Sequence, residues 1–254
     1  MKEKEFYSYN NIITSLPQKK NSNSSLWVKV LIRKISFLFT FVFINLGFSA
    51  NAVSVLSIVV ALIGCVFFLI PISGYSLWGV ILINFWLVLD CVDGNIARCK
   101  KQKTVYGEFV DDIGGYYIEA FVYFTIGVCS FYKGGIIIDK ESLIILIIGA
   151  ISSIINILSR LIYKDYCYYS TKASSEMQEE KTRDDRKSLY YIRNRVSKEI
   201  GMSGVFMPLL FICEFLNCYD ILSVFYFLFN GFALLSTSVI YIYKADKYDK
   251  NHLV

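Results

Sequence analysis

The sequence predicts an all-α membrane protein with six transmembrane helices and an N-terminal interfacial amphipathic helix. Three observations predict this. Of 254 residues, 55% are hydrophobic, and mean hydropathy is +0.49, more apolar mass than a water-soluble chain of this size carries. The apolar residues gather into runs close to the roughly 20 residues that cross a bilayer. Charge is one-sided: with six spans, only Lys133 and Lys140 of the 26 Lys and Arg residues fall on the outer side.

Taken in order, residues 1–26 form a polar, charged tail that reads as cytoplasmic and lacks the short apolar core of a cleavable signal. Residues 27–46 are apolar but carry Lys29, Arg33 and Lys34 early, which suits a helix lying in the cytoplasmic interface or entering it obliquely. A full span is the competing reading, but it would move the tail's lysines outside. The first span is 52–71, ended by Pro71 and Gly74, and the second is 76–97. The third is 107–132, the fourth 142–163, the short fifth 203–217 and the sixth 221–243. The membrane domain thus covers 27–243, and 244–254 form a second cytoplasmic tail. Residues 164–202 read as a charged cytoplasmic loop, either an amphipathic surface segment or a solvated connector. Gly134 and Gly135 mark an outer turn, and Glu214 near the outer side reads as interfacial.

Composition excludes some chemistry. The seven cysteines show neither paired nor zinc-type spacing, so they read as small packing residues. The single histidine, His252, lies in the C-terminal tail, so a proton moved in the membrane core falls to a carboxylate. Low proline content and abundant Ile, Lys, Tyr and Phe suggest an AT-rich bacterial genome, hence the bacterial inner membrane.

The second span ends in LVLDCVDGNIAR and the third begins with GEFVDDIGGYY. Asp90, Asp93, Gly94 and Ala97 share one helical stripe, and Asp111 lies one turn in from Gly107. The short CKKQKTVY connection forces the two helices antiparallel, so the three carboxylates are expected to converge at one depth. Acids at a bilayer edge cost free energy and mark sites, and like charges this close call for a cation. An all-oxygen set suits Mg²⁺, Mn²⁺ or Ca²⁺. Gly94, Ala97 and Gly107 let a ligand approach the backbone, and Arg98, Lys100, Lys101 and Lys103 attract phosphate.

Residues 90–111 resemble the signature of the CDP-alcohol phosphotransferases, D-x-x-D-G-x-x-A-R, eight residues, then G-x-x-x-D-x-x-x-D. Asp90, Asp93, Gly94, Ala97, Arg98, Gly107 and Asp111 match in order and spacing. Ordinary residue frequencies would produce this in roughly one chain per million. The segment SANAVSVLS resembles the family's Pro-Asn-x-Val-Thr start to the first span, with Asn51 and Ser54 matching in type and Ala50 replacing the proline.

The resemblance implies transfer of a phospho-alcohol group from a CDP-linked donor to an acceptor hydroxyl, with release of CMP. It implies Mg²⁺ or Mn²⁺ on Asp90, Asp93 and Asp111, and Asn51, Gly94, Ala97, Arg98 and Gly107 around the CDP. Arg160 is a candidate for the acceptor's phosphate, with a positive-inside anchor as its competing reading. The donor is CDP-diacylglycerol or a small CDP-alcohol; the lipid bilayer and a homodimer are the other expected partners, and no nucleic acid is expected.

One position departs from the pattern. The fourth aspartate, which in the family assists the metal and serves as general base, is Gly115. Asp112 and Glu119 are candidate substitutes, about 60° and 40° away around the helix, with Asp112 preferred for its depth. Glu108 is only about 20° away but faces the cytosolic end. The competing readings are a transporter carrying cations on an intramembrane Asp cluster, and an inactive relative that binds CDP-lipid.

Overall fold

A computed structural model describes residues 6–22, 24–102, 104–176 and 199–252, and among them every regular element is helical. Two short helices, α1 (Tyr9–Thr14) and α2 (Gln18–Ser22), precede a π-helical turn (Val28–Ile32) that runs into α3 (Arg33–Leu46). Then follow α4 (Ala50–Leu69), α5 (Tyr75–Cys99), α6 (Val105–Lys133) and α7 (Leu143–Glu176). A second π-helical turn (Met202–Phe206) leads into α8 (Met207–Leu216), and α9 (Tyr219–His252) closes the chain.

Five helices are long and apolar enough to cross a membrane: α4, α5, α6, and the segments Leu143–Ser170 of α7 and Tyr219–Tyr248 of α9. The sixth apolar helix, Met202–Leu216, is shorter; at 1.5 Å per residue it reaches only about 22 Å. It kinks where Gly204 leaves helical backbone angles. The outward faces suit lipid. Ile144, Ile147, Ile151 and Ile154 form an exposed stripe on α7, as do Leu228, Phe232, Leu235 and Val239 on α9. Helix α3 is inverted relative to a soluble helix. It buries Arg33, Ser36 and Thr40 beside Phe37 and Ile44, and exposes Leu38, Val42 and Leu46. With the π-helical turn before it, the helical run continues from residue 26 to Leu46, and α3 itself has 14 residues.

The helices pack as antiparallel neighbours because their connections are short. Ile70 leaves the helix before Pro71, whose ring disfavours helical geometry in the preceding residue, and Gly74 adopts φ +87° to start α5. Close approach of α6 and α7 depends on a glycine pair. A Cβ on Gly149 would lie 2.9 Å from the Tyr123 carbonyl, and one on Gly127 would lie 3.2 Å from the Gly149 Cα.

At the end of the bundle opposite the aspartates, Glu214 ties several elements together. It pairs with Lys133 (2.8 Å) and accepts from Ser76 (2.9 Å) and Tyr219 (2.8 Å). Asp220 accepts from the backbone N–H groups of Ile137 and Ile138 and so closes the turn after α6.

Two helices run well past their apolar cores. Helix α7 continues to Glu176, into the stretch expected to be a loop, and α9 continues to His252. Hydropathy reports the thickness of the membrane, whereas a helix continues as long as its backbone ladder is not interrupted. Most of the expected 164–202 loop, residues 177–198, lies outside the described residues.

Candidate active site

The C-terminal end of α5 and the N-terminal end of α6 meet across the Lys100–Thr104 connection. Thr104 caps α6 by accepting from the Gly107 N–H (3.0 Å), and Ser49 caps α4 by accepting from the Ala52 N–H (3.1 Å). These caps set the depth at which α4 and α6 begin, and therefore the heights of Asn51 and Asp111. A Cβ on Gly107 would lie 3.1 Å from the Asn51 Oδ1, so glycine there lets the two helix starts touch.

The three aspartates gather at this junction. Asp90, Asp93 and Asp111 stand close enough for their charges to act on one another. Asp93 is buried and accepts from Ser54 Oγ at 2.5 Å, which ties α5 to α4. The acids form a partition between two cavities. One cavity, about 460 Å³, is lined by Lys20, Asn51, Ser54, Asp93, Gly94, Ala97, Arg98, Lys101, Gly107, Glu108 and Asp111, among others. The other, about 480 Å³, is lined by Asp90, Asp111, Gly115, Glu119, Asn156, Ser159, Arg160, Asn230 and Thr237, among others. Asp111 lines both. Among the described residues, no group of three His, Cys, Asp or Glu side chains closes tightly enough around one point to enclose a metal ion. As a donor set, three adjacent carboxylates are nonetheless the chemistry that a hard divalent cation takes.

Arg160 lies across Gly115, and a Cβ at that position would require its guanidinium to shift. The arginine is held on three sides. Nη1 donates to Glu119 (2.9 Å), Nη2 donates to Asp112 (3.2 Å), and the group stacks over Tyr116 with 4.4 Å to the ring centroid. Lys164 also pairs with Asp112. Both candidate bases are therefore ion-paired, but in different surroundings. Asp112 does not line the second cavity, and its side chain is 43% exposed. Glu119 does line it, and its second carboxylate oxygen, Oε2, is buried without a hydrogen-bond partner.

The other flank of the site is organised by the N-terminal helices. Fully buried Asn95 donates to Thr40 (3.0 Å) and Ser36 (3.3 Å) on α3 and accepts from Arg98. The inverted polar face of α3 thus orients Arg98. Lys20 on α2 reaches into the first cavity beside Gly94. Partial burial first, and then the guanidinium groups of Arg98 and Arg33, hold the Lys20 ammonium below its ordinary pKa. Lys101 lines the same cavity, whereas Lys100 turns away and donates to the Phe48 carbonyl (2.9 Å). Lys103 lies outside the described residues.

Residues 48–183, just over half of the chain, match the family model for CDP-alcohol phosphatidyltransferase. The chain belongs to that family. No curated protein matches it. Membership in a transferase family favours the enzyme reading over a cation carrier.

With the family in hand, the expected residues can be located on the structure. Asn51, Gly94, Ala97, Arg98 and Gly107 line one cavity, and Glu119 and Arg160 line the other. Asp112 stands behind Arg160, away from both cavities. Sequence reasoning missed Lys20, Asn95 and the polar lining from Asn156, Ser159 and Asn230. Asn95 falls at a variable position of the motif, and Lys20 is far from it in sequence. A possible signal for Asn95 was the polar pair Ser36 and Thr40 on an otherwise apolar helix.

Proposed function

We propose that this protein transfers a phospho-alcohol group from a CDP-linked donor to the hydroxyl of a small polar acceptor, releasing CMP. The observation that carries the reading is that Asp111 belongs to both cavities, so that a donor on one side and an acceptor on the other would meet at a single acidic wall. Both volumes fall in the range of small-molecule sites. The donor's CDP would occupy the cavity of Asn51, Gly94, Ala97, Arg98 and Gly107, whose missing side chains leave room for a nucleotide against the backbone. The acceptor would occupy the cavity of Glu119 and Arg160, where hydroxyl, amide and guanidinium groups favour a hydroxylated molecule carrying an anionic group.

Asp90, Asp93 and Asp111 would hold Mg²⁺ or Mn²⁺, which supplies charge neutralisation of the donor's diphosphate when bound. The rest falls to side chains. Arg160, fixed by Glu119, Asp112 and Tyr116, would anchor the acceptor. Glu119 Oε2, buried and unpartnered, would take the proton of the attacking hydroxyl. The hydroxyl oxygen bonds to the phosphorus bearing the transferred alcohol, and the bond from that phosphorus to the bridging oxygen breaks. CMP leaves with the bridging oxygen. Positioning and charge stabilisation dominate such transfers, so a base relocated from position 115 to Glu119 is compatible with turnover. The distribution of Lys and Arg supports a site facing the cytoplasm.

A second reading, a relative that binds CDP-lipid without turnover, is favoured by one observation: Arg160 occupies the place of the family's fourth acid. One experiment separates the two. Purified protein in lipid nanodiscs is incubated with Mg²⁺ or Mn²⁺, a panel of CDP-linked donors and hydroxylated acceptors. CMP release is measured and the product is identified by mass spectrometry. Turnover by the wild type and its loss in Asp93→Ala are expected. No CMP from any donor, or undiminished release by Asp93→Ala, sinks the proposal.

A further inference from the structure

Lys20 belongs to neither the signature nor the membrane core, yet its ammonium enters the cavity built around the signature. Its Nζ lies 3.8 Å from where a Cβ on Gly94 would sit, and Arg98 Nη1 lies 3.2 Å from the same point. Two cations from separate helices, α2 and α5, thus bracket the motif's glycine. Arg33, buried on α3, stands next to them. Like charges do not gather in this way without cost, and their donors are underused. Among the described residues the Lys20 ammonium has no ion-pair partner, and Arg98 Nε and Arg33 Nε are buried with no hydrogen-bond partner. Arg98 is fixed by Asn95, and Arg33 by the hydrogen bond from its Nη2 to Ser24 (2.6 Å). The group is a preorganised set of donors facing a cavity, and an anion completes it.

We propose that Lys20 is a donor-binding residue, whose ammonium grips the diphosphate of the CDP-linked donor together with Arg98. This rests on the donor cavity assigned above and adds to it a contact from outside the motif. Charge is divided sensibly across the cavity. Asp93 and Asp111 stand on the side of the shared wall and Glu108 also lines the cavity, while Lys20 and Arg98 cluster over Gly94, where anionic phosphate oxygens could approach. A lysine suits this position because its charge sits on a flexible stem and can follow a ligand as it enters. The N-terminal segment then has two tasks: α3 orients Arg98 through Asn95, and α2 brings Lys20 over the nucleotide.

The test is binding of CDP, CMP and cytidine to the full-length protein, measured by calorimetry in nanodiscs of zwitterionic lipid with Mg²⁺. Wild type, Lys20→Met and Lys20→Arg are compared. Loss of a charge-assisted hydrogen bond predicts that Lys20→Met weakens CDP binding by about tenfold to a hundredfold. CMP, which lacks the second phosphate, should weaken by less than about threefold, and Lys20→Arg should hold CDP within about threefold of wild type. Equal CDP binding by Lys20→Met and wild type overturns the role of Lys20 while leaving the donor cavity standing. Equal weakening of CDP, CMP and cytidine overturns it too, since the loss would then not lie at the diphosphate. Failure of the wild type to bind CDP removes both the donor cavity and this inference.

Discussion

Glu119 and Asp112 both touch Arg160, and only one of them faces the acceptor cavity. Replacing each carboxylate by its amide separates the roles. In Glu119→Gln the amide oxygen can still accept from Arg160 Nη1, so the guanidinium keeps its place across Gly115 and its second bond to Asp112 at 3.2 Å. The pair is largely buried, at 25% and 21% side-chain exposure. Weakening it to a neutral acceptor costs stability on the order of 1 kcal/mol. What the amide cannot do is accept a proton at the position of Oε2. If Glu119 is the base, turnover falls by about 10²–10⁴-fold with little change in acceptor KM. Asp112→Asn disturbs a pair that is 43% exposed on the Asp112 side, worth at most about 1 kcal/mol, so turnover should fall by about fivefold or less. The assay is steady-state CMP release at saturating donor for both variants, with thermal unfolding run in parallel to exclude misfolding. A loss in Asp112→Asn as large as that in Glu119→Gln, with both proteins folded, would refute the assignment of the base from cavity lining.

Two further outcomes follow from the geometry. Ser54→Ala removes the 2.5 Å hydrogen bond that orients Asp93, so the Mn²⁺ concentration giving half-maximal CMP release should rise by about tenfold or more; an unchanged titration would show that Asp93 needs no such support. Gly149→Val forces side-chain atoms against the Tyr123 carbonyl and the facing Gly127, which should separate α6 from α7 and cost about 1–3 kcal/mol or more, read as a lowered unfolding temperature in detergent.

Local sequence carried the membrane class, the hairpin of α5 and α6, and the site motif. Apolar runs of bilayer length can satisfy their backbone only as helices, and carboxylates three or four residues apart on a helix share a face wherever that helix goes. Asp90, Asp93, Gly94, Arg98, Gly107 and Asp111 could therefore be read as one constellation before any packing was known. The helix ends beyond the membrane were not legible in the same way, because hydropathy falls off at Tyr163 while the backbone of α7 continues to Glu176.

Tertiary structure decided the questions that depend on contacts between distant segments. Sequence reasoning preferred Asp112 over Glu119 for its depth, although Glu119 is nearer in helical angle. Arg160, packed in from α7, lies over Gly115 and pairs with both acids, and of the two only Glu119 lines the cavity shared with Asp90 and Asp111. In the same way, nothing near Lys20 in the sequence marks it as a site residue. It lines the cavity because α3 meets Asn95 through Ser36 and Thr40 and the short helix α2 brings it beside Gly94. Periodicity reports which residues share a face of one helix. Which face meets which neighbour is set by small residues, caps and buried polar pairs, whose partners are dozens of residues away along the chain.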